Sequence, residues 1–254
     1  MTYRKPEDIL AIAAEGNRDA GDYWLGKLSG ELNRTGFPYD FKKSKKEAEI
    51  DPAAFAFDGD LVGRLKSLSR GSDYALYVIF VAGLTLLLKR CTGSGDIIVG
   101  SSIYKQDAEG EFINTVLALR NRLEEEKSFK ELLLQVRQTV GEAEKNQNYP
   151  LELILSRLDI AVPDAGDAFP LFDVMILLEN IHDRDYVRHI KTNMVFSFLR
   201  TGEAIEGTLE FNALLYDRST IERIIAAYKY ILHKVLADTN IILSAVETMP
   251  EEEK

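Results

Sequence analysis

Apolar residues change period several times along the chain, and each change marks an element. Residues 7–32 carry a helical pattern, broken near Gly16 and Gly21, whose second part sets Trp24, Leu25 and Leu28 on one face. Residues 29–51 keep no period and read as an extended linker, with Phe37-Pro38-Tyr39-Asp40 and a basic run over 42–46 that is solvated. Phe55 and Phe57 mark a short strand, and residues 61–68 a short helix. Ser72 or Asp73 then caps a strongly apolar helix over 74–88, which ends near Cys91 and is stopped by Thr92-Gly93-Ser94-Gly95.

Beyond that turn, residues 96–100 and 112–123 read as central strands. Ser128-Phe129-Lys130-Glu131 is a capping box, followed by Phe129, Leu132, Leu133, Val136 and Val140 at helical spacing as far as Lys145. Residues 151–158 form a short helix behind Pro150, and 162–169 a loop bearing proline and aspartate. Residues 171–179, 194–200 and 205–216 are strands, the last two joined by Thr201-Gly202-Glu203-Ala204 into a hairpin. In the last strand Leu209, Phe211, Ala213 and Leu215 alternate with Thr208, Glu210 and Asn212, which leaves one face wet. Ser219-Thr220-Ile221-Glu222 reads as a second capping box, opening an amphipathic helix from Ile221 to about Leu236. Residues 250–254 are a frayed tail.

The fold class is therefore α/β, a mixed β-sheet packed with helices, without the βαβ regularity of a Rossmann sheet or barrel and without an internal repeat. With 254 residues, 46% hydrophobic and 28% charged, the chain can build one large core or two small ones. A net charge of -10 and a pI near 5.0 repel phosphate backbones, so no nucleic-acid partner is expected. One cysteine cannot form an internal disulfide, and three histidines show no metal-ligand spacing. The first twelve residues lack a basic end followed by an apolar run, and the apolar stretch over 74–88 is shorter than the ~20 residues of a membrane span. A cytoplasmic protein without membrane attachment is expected.

Candidate chemistry is sparse. His182 and His189 flank Asp183-Arg184-Asp185, and His233 lies in the last helix; with no Ser or Cys elbow nearby, each reads as structural or solvated. Cys91 reads as a small buried hydrophobe. Gly93-Ser94-Gly95-Asp96 precedes a strand and is a turn rather than a phosphate loop. Asn114-Thr115, placed mid-strand, is either a satisfied sheet hydrogen bond or part of a site. No catalytic, cofactor or metal residue is assigned.

Several segments resemble, in order, the condensation domains of nonribosomal peptide synthetases, which share the chloramphenicol acetyltransferase fold. Tyr23-Trp24-Leu25-Gly26-Lys27-Leu28 and Phe37-Pro38-Tyr39-Asp40 resemble the family's crossover between lobes. The most specific match is Gly95-Asp96-Ile97-Ile98-Val99-Gly100-Ser101 followed by Phe112-Ile113-Asn114-Thr115-Val116-Leu117-Ala118-Leu119-Arg120. Tyr149-Pro150-Leu151-Glu152, Pro170-Leu171-Phe172-Asp173-Val174-Met175, Gly207-Thr208-Leu209-Glu210-Phe211-Asn212 and Leu215-Tyr216-Asp217 follow in family order.

The resemblance implies a partial domain over 1–254, the C-terminal lobe only, with leading helices and crossover over 1–51 and the start of a linker at 249–254. In that family two lobes face across a tunnel in which carrier proteins present phosphopantetheine-bound groups for amide formation; no cofactor of the chain's own is implied. The family's His-His-x-x-x-Asp-Gly motif has no counterpart here, since Asp58-Gly59 is not preceded by histidines. Ser102-Ile103-Tyr104-Lys105-Gln106 also departs from the family's proline and arginine, and Ala118 replaces a common proline. The expected function is a truncated, non-catalytic lobe serving as a platform for an adenylation domain. The alternative is half of an active domain, completed by a first lobe. Expected partners are an adenylation domain and a carrier protein, with a first lobe or a homodimer as further candidates.

Overall fold

The computed structural model describes residues 17–42, 48–106, 114–161 and 168–249. Their elements are α1 (Arg18–Lys27), β1 (Ile50–Ala56), α2 (Gly59–Ser69), α3 (Asp73–Thr92), β2 (Asp96–Ser102), β3 (Val116–Arg122), α4 (Phe129–Lys145), α5 (Leu151–Arg157), β4 (Val174–Leu178), β5 (Met194–Thr201), β6 (Ala204–Asn212) and α6 (Arg218–Ala237), with 3-10 turns at Arg184–Val187 and Leu243–Ala245. The strands form one sheet in the order β1-β6-β5-β4-β2-β3. β4 runs parallel to β2 and β5, and the remaining pairs are antiparallel.

The apolar helix α3 is the centre of the core. Every residue from Leu76 to Lys89 is buried, as expected for a helix that is apolar all round. It is the one described helix long and apolar enough to cross a membrane, but 78% of its apolar window lies inside the fold. Ser72 caps it through the Ala75 N–H, and Gly93 closes it in the left-handed conformation at φ 73°. Phe80 on α3 stacks on Phe198 of β5 at 4.1 Å between ring centroids, and Phe57, just after β1, lies over both. Tyr228 on α6 completes this aromatic group, its hydroxyl donating to the Phe80 carbonyl at 3.0 Å.

Several elements differ from the sequence reading. Residues 29–42 are no simple linker: Thr35 and Phe37 are buried, and Thr35 bridges to Phe172. β1 begins at Ile50, inside the expected linker, because pairing with β6 supplies an order that its Asp51-Pro52 sequence hides. Gly21 does not break α1; it gives the Tyr149 ring room, since a Cβ there would sit 2.7 Å from Tyr149 Cε2. β3 begins at Val116 and is an edge strand, not a central one. Its apolar run has another cause: α4 packs against it, with Thr139 bonded to Asn121, and the Arg120 side chain is covered by residues 27–31. β4 starts at Val174 and β6 stops at Asn212, shorter than their apolar runs at 171–179 and 205–216. The cap of α6 is Asp217, accepting from Ser219 N–H, so the expected Ser219 box is one turn of ordinary helix. The Ser128–Glu131 box is present with both reciprocal bonds. The expected helix over 7–16, the loop over 162–167, residues 112–113 and the tail from 250 lie outside the described residues.

Candidate functional site

The carboxyl ends of the parallel strands β2 and β4 meet the start of β3 at one end of the sheet, where Ser102 faces Val116. In open α/β sheets ligands collect at this end of parallel strands. Ser101, the last residue of the best family match, is buried here and hydrogen-bonds the Tyr77 hydroxyl at 2.5 Å. Tyr104 bridges to His182 across the strand ends, and the imidazole lies between two phenol rings: stacked on Tyr104 at 5.1 Å and edge-on to Tyr77 at 4.5 Å.

His182 is only 2% exposed, and its Nδ1 accepts the Leu178 N–H at 3.0 Å, so the neutral ring carries its proton on Nε2. Burial, with Lys105 adding repulsion, pushes its pKa down to about 3. It is a neutral filler rather than an available base. Burial likewise raises the Tyr77 phenol, and burial followed by repulsion from Tyr77 raises Tyr104. The Tyr104 hydroxyl is buried without a hydrogen-bond partner among the described residues.

The other weighed residues fall in two places. Asn114 precedes β3 rather than lying within a strand: its Nδ2 donates to the carbonyls of Val116 at 2.8 Å and Gln147 at 3.2 Å, and its Oδ1 accepts the Val116 N–H. This is the satisfied reading of its polarity. Thr115 reaches exposed His189 at 3.4 Å. His233 is remote from both, on the side of α6 that faces the start of α2, with Nε2 2.7 Å from Asp58 Oδ2 and Nδ1 3.8 Å from Asp60 Oδ2. Asp58 also caps α2 through the Leu61 N–H, and that bond first, then His233, lowers its pKa. These three side chains form a grouping of metal-ligand types that chain spacing hides, but all are committed to the cap and ion pair. Cys91 is exposed, not buried, because it sits in the last turn of α3 beyond the core.

Sequence reasoning missed two buried charge centres that fix residues 27–39 to the sheet. Asp173, just before β4, accepts from Arg34 at 2.5 Å, Asn193 at 2.7 Å and the Tyr39 hydroxyl at 2.7 Å. Burial and then the Asp173 contact push the Tyr39 phenol up to about 12. Arg120 on β3 binds both Asp96 oxygens, at 2.8 and 2.6 Å, and the carbonyls of Lys27, Ser29 and Glu31 at 3.3, 2.7 and 2.8 Å. The partners are more than 85 residues apart in all but the Arg120–Asp96 and Asp173–Asn193 pairs, so no local pattern announces them.

Among the described residues, then, no imidazole is both accessible and oriented by a carboxylate beside a nucleophile, the arrangement that general-base catalysis needs. What the sheet end offers is a tightly packed wall.

The condensation domain family model matches residues 12–254. Bacitracin synthase 3 of Bacillus licheniformis is 29% identical over 92% of this chain, and tyrocidine synthase 3 of Brevibacillus parabrevis 28% identical over 91%. The chain spans only 4% of each of those proteins. A four-domain nonribosomal peptide synthetase bound to AMP and glycine superposes with a TM-score of 0.78 at 12% identity, over 92% of this chain and 20% of that one. The X-domain from teicoplanin biosynthesis, solved in complex with OxyB, gives 0.78 at 20% identity over 96% of this chain and 59% of its own. By the match of nearly its whole length, this chain belongs to the condensation-domain family.

Proposed function

We propose that this chain is the C-terminal lobe of a condensation domain, that it performs no chemistry by itself, and that it acts as a platform against which an adenylation domain of a synthetase packs. The observation that carries this reading is the disposition of its histidines: His182 entombed, His233 tied to Asp58, and His189 exposed beside Thr115 with no carboxylate partner among the described residues. The X-domain, a neighbour in fold, has been solved as a complex with OxyB, which supports an interaction role for a lobe of this shape.

The test mixes the chain with the adenylation domain of its own synthetase and reads crosslinks and the thermal midpoint of each. A contact mapped to this lobe with a raised midpoint supports the platform; no crosslink and no shift sinks it. The chain's coverage of 59% of the X-domain favours one second reading, in which a separate first lobe bearing paired histidines completes an amide-forming domain. Condensation of carrier-bound substrates restored by that lobe establishes it.

A further inference from the structure

On the helical side of the molecule, α2, the start of α3, the first half of α4 and the end of α6 frame an open groove of about 1010 Å³. Its floor is apolar, and Leu134 and Leu68 stand 57% and 40% exposed at its sides. Both are large hydrophobics that the fold does not use.

The rim has the opposite sign to the rest of the protein. Arg64, Arg70, Lys130 and Arg137 line it with a single carboxylate, Asp60, which pairs with Arg64 at 2.9 Å. Arg70, Lys130 and Arg137 have no carboxylate partner among the described residues. This cation cluster stands out on a chain whose net charge is -10. It attracts an acidic partner and steers its approach.

Shape adds a further constraint. Gly63 lies inside α2 with ordinary helical backbone, and a Cβ built on it meets nothing within 4 Å. Glycine is unfavourable in a helix interior, and the close-packed glycines of this chain make room for a named neighbour, as Gly100 does for Phe172 and Gly83 for Leu232. No intramolecular contact accounts for Gly63. With Gly59 and Ser67 it leaves the groove-facing side of α2 low enough for another backbone to approach. A helix 10 Å across with a 1.5 Å rise fills about 120 Å³ per residue, so the groove accommodates on the order of eight residues, a little over two turns.

We infer that this groove docks an amphipathic helix of a partner polypeptide, its apolar stripe on Leu68 and Leu134 and its flanking acids on Arg70, Lys130 and Arg137. Such a helix engages through residues spaced i, i+4 and i+7. The inference does not rest on the adenylation-domain reading, and its test uses no synthetase component.

The probe is a synthetic fluorescent 14-residue helical peptide with leucines at i, i+4 and i+7 and glutamates flanking them, compared with the same peptide carrying lysines in place of glutamates. Anisotropy titrations use the full chain. The acidic peptide should bind at least tenfold tighter than the lysine peptide, and its affinity should fall with added salt. Gly63→Trp, which fills the groove, and Arg70→Glu/Arg137→Glu, which reverses its rim, should each weaken binding at least tenfold while circular dichroism and the melting midpoint keep the fold intact. Equal affinity for both peptides, no binding, or binding indifferent to both variants overturns the inference. Sedimentation and vesicle flotation run in parallel: a dimer dispersed by Gly63→Trp would assign the groove to a second copy, and capture on phosphatidylglycerol vesicles lost in the charge-reversed variant would assign it to a membrane surface. Either result also overturns it.

Discussion

Replacing Asp173 by Ala removes the acceptor on which Arg34, Tyr39 and Asn193 converge. Asp173 is 2% exposed, so its carboxylate is stable only through these donors. The substitution strands a guanidinium whose side chain is only 22% exposed, together with two further donors. Breaking a buried ion pair by deleting one partner costs about 3–5 kcal/mol, and partial solvation of Arg34 places this site near about 3. For a protein of this size a loss of 1 kcal/mol lowers the midpoint by about 2–4 °C, so Asp173→Ala should melt about 6–12 °C lower. Arg34→Met alone should cost less, because Asp173 keeps two neutral donors. The pair Arg34→Met/Asp173→Leu should cost less than the sum of the two single changes, since no unpaired charge remains. Urea titrations followed by tryptophan fluorescence measure all three, with Trp24, buried in the helix α1 that leads into the segment bearing Arg34 and Tyr39, as the reporter. A loss below about 1 kcal/mol for Asp173→Ala, or strict additivity in the cycle, would refute the claim that this centre fastens that segment.

Three further outcomes are expected. Because the folded state holds His182 neutral down to about pH 3 while an unfolded histidine protonates near pH 6.5, the unfolded chain binds the extra proton between these values. Stability therefore falls as pH drops through that window, by at most about 1.4 kcal/mol per pH unit, and His182→Gln should flatten the pH dependence of the urea midpoint there. Gly100→Ala forces a methyl to within 2.3 Å of the Phe172 ring and should cost about 1–3 kcal/mol, whereas Gly63→Ala, with open space around it, should gain about 0.5–1 kcal/mol in the same denaturation assay. Ser128→Ala deletes the acceptor of the Glu131 N–H and should lower the melting midpoint by an amount worth about 1 kcal/mol.

What can be read from the sequence is what local physics decides. The Ser128 box, the stop at Gly93 and the stripe of α6 are all settled within one helical turn of the residues concerned, and the structure has them. The position of β3 escapes a sequence reading because a strand with both faces covered looks the same whether it has one paired neighbour or two. β1 is half hidden because its order comes from β6, far along the chain. The candidate site follows the same rule. Three histidines can be judged individually from their neighbours, but Tyr77, Ser101, Tyr104 and His182 meet only when the sheet ends are brought together. The groove, too, is a product of four helices, and no local pattern along the chain announces it.

The pairing of the first strand with the last also sets a clock. Ile50 lies opposite Asn212, about 160 residues later, and at roughly 5–20 residues per second a ribosome takes on the order of 8–30 s to bridge that interval. During synthesis β1 waits without its one neighbour among the described strands, its sequence interrupted by Pro52, which cannot donate to a stray strand. Pauses in translation before β6 emerges would lengthen the time spent half-assembled, whereas pauses after it would leave the closed sheet untouched.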